Sequence, residues 1–152
     1  MTQPRPREFA SAILVDARGR LLFQLRDNIA SILYPGMVTL FGGHRECGET
    51  FLQCVCREVE EEINYRLSPE QLEWMASYAG TDPGGGSVVG EFFIARGIPI
   101  DDLRITEGSL LIVEYDELQA LLPRLVPSAL SAVRIFTTNR PSPVAPGGPV
   151  HP

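Results

Sequence analysis

Gly43-His44-Arg45-Glu46-Cys47-Gly48-Glu49-Thr50-Phe51-Leu52-Gln53-Cys54-Val55-Cys56-Arg57-Glu58-Val59-Glu60-Glu61-Glu62-Ile63-Asn64-Tyr65 decides how this chain is read. Five residues separate Gly43 from Glu49, and seven more separate Glu49 from the run Arg57-Glu58-Val59-Glu60-Glu61-Glu62. Carboxylates packed this densely repel one another at helical i,i+4 spacing. A short helix that carries them calls for something strongly positive beside it. A divalent cation is the economical answer, because Mg²⁺ prefers oxygen ligands and keeps waters that substrate phosphates can replace.

The local pattern agrees. Thr50-Phe51-Leu52-Gln53 has the form of a capping box, so a helix should begin at Thr50 and leave Glu49 just outside it. Leu52, Val55, Val59 and Ile63 recur at helical spacing and form an apolar stripe for the core. Glu58, Glu61 and Glu62 share another face, with Arg57 and Glu60 between the two. Asn64 should end the helix in the left-handed conformation. Gly42-Gly43 lets the backbone approach a ligand closely, and a carbonyl there could join a metal shell. A solvated acidic face would explain the glutamates, but not the spacing of the glycines, Glu49 and Arg57.

Working outward, residues 9–15 read as a strand, 16–19 as its turn and 20–26 as the returning strand. Residues 27–36 read as a loop, and 37–41 as a short strand feeding the glycines. After the acidic helix, 72–78 and 88–96 read as strands joined by the Gly-rich turn 81–86, with one more strand at 109–113. Residues 116–122 and 128–136 read as helices. The tail from 141 to 152 is Pro/Gly-rich without periodicity and is expected to be flexible, leaving residues 1–140 as a single domain. A mixed sheet between helices, an α/β fold, is what this order suggests.

Composition excludes several chemistries. The 152-residue chain contains no lysine, so Schiff-base catalysis and a P-loop lysine are ruled out. Its two histidines, His44 and His151, are too few for a His-rich zinc site. The net charge of −6 argues against binding a nucleic acid polymer. No apolar run approaches the ~20 residues that span a bilayer, and the polar start lacks a signal-peptide core, so a cytoplasmic protein is expected. Cys47, Cys54 and Cys56 have no paired metal spacing and read as free thiols.

The stretch quoted above resembles the signature box of the Nudix hydrolases. In that box a Gly, five residues, a Glu and seven residues precede Arg-Glu-apolar-any-Glu-Glu-any-Gly-apolar. Every charged position matches. Asn64 replaces the helix-ending Gly, and Tyr65 stands where an aliphatic is usual. In weaker form the resemblance runs over residues 9–136, through Leu21-Leu22-Phe23-Gln24-Leu25-Arg26, the approach Tyr34 to Gly43, and Thr106-Glu107-Gly108 with its following strand. It implies an α/β/α sandwich with the site beside the box helix.

The resemblance also implies metal-assisted substitution at phosphorus. Mg²⁺, with Mn²⁺ as its substitute, would be held by Glu58, Glu62 and Glu61 with the Gly43 carbonyl. Glu49 would be an outer ligand or the partner of Arg57, whose role is to orient the carboxylates. Glu107 is the first candidate for general base, Glu61 the second and Glu91 the third. Arg26 is either a strand-end charge in solvent or a phosphate contact. His44 is either a phosphate contact or a loop imidazole without a forced role. The implied substrate is a small nucleoside diphosphate linked to another group. A nucleoside triphosphate is the first choice; a nucleotide sugar, ADP-ribose or a non-catalytic nucleotide-binding module are the alternatives. Pro83 reads as turn chemistry, and Tyr34, Phe23 and Tyr78 read as core aromatics that could also stack on a base. A homodimer is left open.

Overall fold

In a computed structural model, which describes residues 4–139, the chain builds one mixed sheet between helices. The expected tail and His151 lie outside the described residues. Strand β1 (Arg7–Asp16) turns back into β2 (Leu21–Leu25). The buried Asp16 carboxylate organises this turn: it accepts the N–H groups of Arg18 and Arg20 at 2.9 and 2.8 Å and the Arg20 guanidinium at 2.8 Å. Burial alone would raise its pKa, but those bonds outweigh it and hold the carboxyl below its ordinary range.

The residues expected as one strand at 37–41 form two. Strand β3 (Val38–Thr39) pairs with β2, and β4 (Phe41–His44) pairs with β1. The chain crosses from one partner to the other at Leu40, which is buried in the core. The glycines thus lie inside a strand rather than after one. Gly42 permits this at φ +149°, since a Cβ there would collide with the Ala10 carbonyl and with Ser11.

Strands β5 (Leu72–Thr81) and β6 (Ser87–Ile98) form a long hairpin, and β7 (Ser109–Val113) pairs with β2. Strand β1 is the seam. One edge runs parallel to β6; the other pairs with β4 at residues 9–12 and with β2 at 14–15. The sheet therefore forks along β1, and the fork opens beside the acidic helix.

That helix, α1 (Phe51–Ile63), begins as its capping box requires. The Gln53 N–H reaches Thr50 Oγ1 at 3.0 Å and the Thr50 N–H reaches Gln53 Oε1 at 2.8 Å. Its buried face is Cys54, Val55, Val59 and Ile63; Leu52 sits half-buried at the flank. This face packs on Ala10, Ala12, Leu14, Leu22, Phe93 and Ala95, each buried apolar side chain contributing roughly 1.5–3 kcal/mol where it is as large as Val or Leu. The opposite face of the sheet, including Phe9, Ile13, Phe23 and Phe92, is covered by α3 (Pro127–Asn139) through Ala129, Ala132, Val133 and Phe136. The result is the α/β/α sandwich. The expected helix at 116–122 is reduced to α2 (Leu118–Leu121) between 3₁₀ turns, because Pro123 has no N–H to continue it.

Asn64 caps α1 at φ 57°, ψ 39°, its N–H bonded to the Glu60 carbonyl at 2.9 Å. Asn64→Gly should keep or slightly raise the melting temperature, because Gly takes this conformation without a Cβ penalty. Asn64→Val should lower stability by about 1–2 kcal/mol. Equal melting temperatures for the two variants would contradict the cap.

Candidate active site

The cleft of about 420 Å³ at the fork gathers side chains from both faces. Glu58, Glu61 and Glu62 of α1 line it, together with Gly42, Gly43, His44, Arg26 and Glu107. Residues far apart in sequence meet here because the fork leaves the ends of β2 and β4 apart and α1 closes the gap.

Arg57 is the organising cation. Its Nε and Nη2 hold both oxygens of Glu49 at 3.0 and 2.7 Å, Nη2 also reaches the His44 carbonyl at 3.0 Å, and Nη1 bonds Glu58 at 2.9 Å and Glu61 at 3.4 Å. A planar guanidinium can serve so many acceptors at once; a lysine could not. Glu49 also accepts the Glu46 N–H, and Arg57 first, then that bond, holds its carboxyl down to about 2. Its carboxylate faces Arg57 and does not line the cleft. The Arg57 guanidinium is pushed further above its ordinary value, chiefly by Glu49.

Glu62 has the opposite environment. Burial, with Glu58, Glu107 and Glu61 nearby, pushes its carboxyl up to about 8, against the pull of the Gly42 N–H at 2.8 Å. Glu58 rests against the Gly43 backbone so closely that any Cβ at 43 would strike its carboxylate. The Gly43 carbonyl, at a position paired with Ala10 in the β1–β4 ladder, also accepts the weak Cys54 Sγ–H bond at 3.4 Å. Burial and the charge of Glu49 push that thiol up to about 12, so Cys54 stays neutral.

These donors are hard oxygens around a desolvated acid, which suits a divalent cation of the Mg²⁺ kind. The cage is not closed: among the described residues no three His, Cys, Asp or Glu side chains stand gathered at metal-binding distances. Glu58 is turned to Arg57 and Glu62 to the Gly42 N–H.

Glu107 is held by its main chain. Thr106 Oγ1 bonds the Glu61 and Glu62 carbonyls at 2.9 and 3.2 Å, and the N–H groups of Arg104 and Thr106 bond the Ile63 and Glu62 carbonyls at 3.0 and 2.9 Å. These contacts also satisfy the open carbonyls at the end of α1. On the other side Gln24 Nε2 bonds the Glu107 carbonyl at 3.0 Å, and a Cβ at Gly108 would strike the Leu25 carbonyl. The Glu107 carboxylate itself has no hydrogen bond or ion pair among the described residues.

Arg26 spends Nε on the Leu33 carbonyl at 2.7 Å and has no carboxylate partner among the described residues. It braces the loop that puts Tyr34, at φ 51°, on the wall of the cleft. Tyr78 lines the cleft and packs on Phe9 and Phe92, Pro83 lies at the rim, and Phe23 is wholly buried. Glu91 is not brought here: its carboxylate is taken by Trp74 Nε1 at 2.8 Å and Ser77 Oγ at 2.7 Å on β5. Arg7 and Gln24 are among the cleft residues that escaped the sequence reading. Arg7 crosses the rim, with Nη2 2.7 Å from His44 Nε2, which must accept, and Nη1 3.4 Å from Asp82. Its polar neighbourhood gave no signal. Gln24 did give one, as the sole polar residue within an apolar strand.

Without bound cation, Glu62 makes stability depend on pH. A folded-state pKa raised above the unfolded value favours the protonated, folded form. The contribution is complete below the unfolded value of about 4.3 and is lost as pH rises through about 8. In EDTA the melting temperature should therefore fall by several degrees between about pH 5 and pH 8.5. Mg²⁺ should reverse the fall at the alkaline end, and Glu62→Gln should flatten it. A parallel fall in Glu62→Gln would assign the effect to another group.

A model of the NUDIX domain matches residues 5–130. Among curated proteins none matches the sequence. Among solved structures, a MutT NUDIX hydrolase from Burkholderia pseudomallei is 21% identical, over 86% of this chain and 98% of that one, with a TM-score of 0.67. A NUDIX hydrolase from Nitrosomonas europaea is 18% identical over 92% and 94%, with a TM-score of 0.72. The NUDIX domain of Shewanella oneidensis NrtR, crystallised with ADP ribose, is 16% identical over 89% and 88%, with a TM-score of 0.71. At these identities the likeness is one of fold. Among the described residues no helix is long and apolar enough to cross a membrane.

Proposed function

The chain belongs to the Nudix hydrolase family, and from that premise we propose that it hydrolyses the diphosphate linkage of a small nucleotide, a nucleoside triphosphate first among them. The observation that carries the reading is the convergence of Glu58, Glu61, Glu62 and Glu107 on one cleft that Arg26 also lines. Glu58, Glu62, Glu61 and the Gly43 carbonyl would hold Mg²⁺, or Mn²⁺ in its place. When bound, the cation supplies charge neutralisation and a more acidic water. Glu49 acts through Arg57, which keeps Glu58 aimed along the cleft.

Glu107 takes the proton. The water oxygen forms a new bond to phosphorus while the bridging P–O bond breaks, and the bridging oxygen leaves with its electron pair on the departing phosphate. The carboxylate is suited to this because its backbone is pinned while its oxygens are uncommitted. Arg26 offers its remaining N–H groups to a phosphate, and His44 and Arg7 stand at the rim on the side of the β5–β6 turn. Tyr34 and Tyr78 give the cleft an aromatic wall for a base.

A second reading is a diphosphatase for ADP-ribose or a nucleotide sugar, favoured by the ADP ribose bound in the Shewanella relative. A non-catalytic module is disfavoured, since every box carboxylate is present. A panel of nucleoside triphosphates, nucleotide sugars, dinucleotides and ADP-ribose, assayed with Mg²⁺ for released phosphate or nucleoside monophosphate, tests the reading. Triphosphate turnover is expected to be fastest. Turnover of none of them would leave only the binding module.

A further inference from the structure

Two polar or charged residues are buried among the described residues, Asp16 and Gln24, at 6% and 4% exposure. Asp16 is accounted for by its turn. Gln24 is accounted for by half. A backbone carbonyl can only accept, so the 3.0 Å bond to Glu107 must use the amide nitrogen, which turns the amide oxygen away. That oxygen has no protein donor among the described residues, yet it is not sealed in the core, where it would count as buried and unsatisfied. Gln24 lines the cleft, which is the open space next to its amide. A buried amide in an otherwise apolar strand costs stability unless its polar atoms find partners, which leaves a cleft occupant as the partner.

Resting on the hydrolase reading above, we infer that Gln24 is a further residue of the reaction centre: its amide oxygen accepts a hydrogen bond from the attacking water while its amide nitrogen holds the main chain of Glu107. The water then has one hydrogen on Glu107 and the other on Gln24, which directs an oxygen lone pair at phosphorus. Glutamine is suited to orient rather than to deprotonate, because it stays neutral and offers an acceptor in a rigid plane. The proton goes to Glu107 as before, and Gln24 is unchanged at the end of the step.

The test uses the nucleotide that the wild type turns over fastest, so an inactive wild type would fail the hydrolase reading before any variant is made. Gln24→Met keeps the length of the side chain and removes both polar atoms. Gln24→Asn keeps the amide but is one methylene too short to serve both partners, and covers the case in which the Met variant fails to fold. Each should lower kcat roughly tenfold or more with KM within about twofold, as for loss of a positioned group in the transition state. The rise in melting temperature with Mg²⁺ should match that of the wild type, which separates the role from metal holding. Combined with Glu107→Gln, the loss should be no greater than about that of Glu107→Gln alone, since both residues act on one water. Unchanged kcat, a rise in KM alone, a lost Mg²⁺ response or losses that multiply would each overturn the assignment.

Discussion

Glu62→Gln and Glu58→Gln are each expected to lose roughly a thousandfold or more in turnover, the scale of several kcal/mol of charge stabilisation supplied through a bound cation. An amide is a neutral, poorer ligand for a hard ion. The two variants should differ in stability. Glu62 is buried among carboxylates, so its amide should melt at or above the wild-type temperature in EDTA at pH 8. Glu58 bonds Arg57 at 2.9 Å, so its replacement weakens one arm of that network and should melt slightly lower. Mg²⁺ should no longer raise the melting temperature of either. Near wild-type turnover at saturating Mg²⁺ in one variant would remove that residue from the metal face.

Glu107→Gln should cost about a hundredfold in turnover, the scale for losing a positioned general base. Its Mg²⁺ affinity should stay close to that of the wild type, because the Glu107 carboxylate is proposed to take a proton rather than hold metal. Glu61→Gln should behave differently, weakening Mg²⁺ binding along with turnover. A Glu107→Gln enzyme with ordinary turnover across the pH range would hand the role to Glu61.

Much of α1 was legible because its signals are local. The capping box at Thr50, the stripe Val55, Val59 and Ile63, and the left-handed Asn64 all depend on neighbours within four residues. Other features depend on partners remote in sequence and left little trace. Strand β4 is Phe-Gly-Gly-His, a poor strand by propensity, and exists because β1 pairs with it; its glycines tolerate what a Cβ would not. Glu107 and Glu91 were the first and third candidates for general base, both acids that follow the box helix. Only the tertiary structure shows one held by Trp74 and Ser77 and the other standing free beside Glu62. The resemblance left Glu49 as an outer ligand or the partner of Arg57, and in the folded chain both its oxygens are bonded to Arg57. Gln24 was the readable signal left unread, a polar side chain where strand alternation into the core asks for an apolar one.

The proposed reaction is attack on phosphorus by a water activated in this cleft. It is tested most directly by running the best nucleotide substrate to partial conversion with Mg²⁺ in ¹⁸O-labelled water and weighing the products. One ¹⁸O atom per turnover should appear in a phosphate group of one product, with no turnover once EDTA removes the cation. Products whose phosphates carry no label, or turnover that persists undiminished in EDTA, would contradict it.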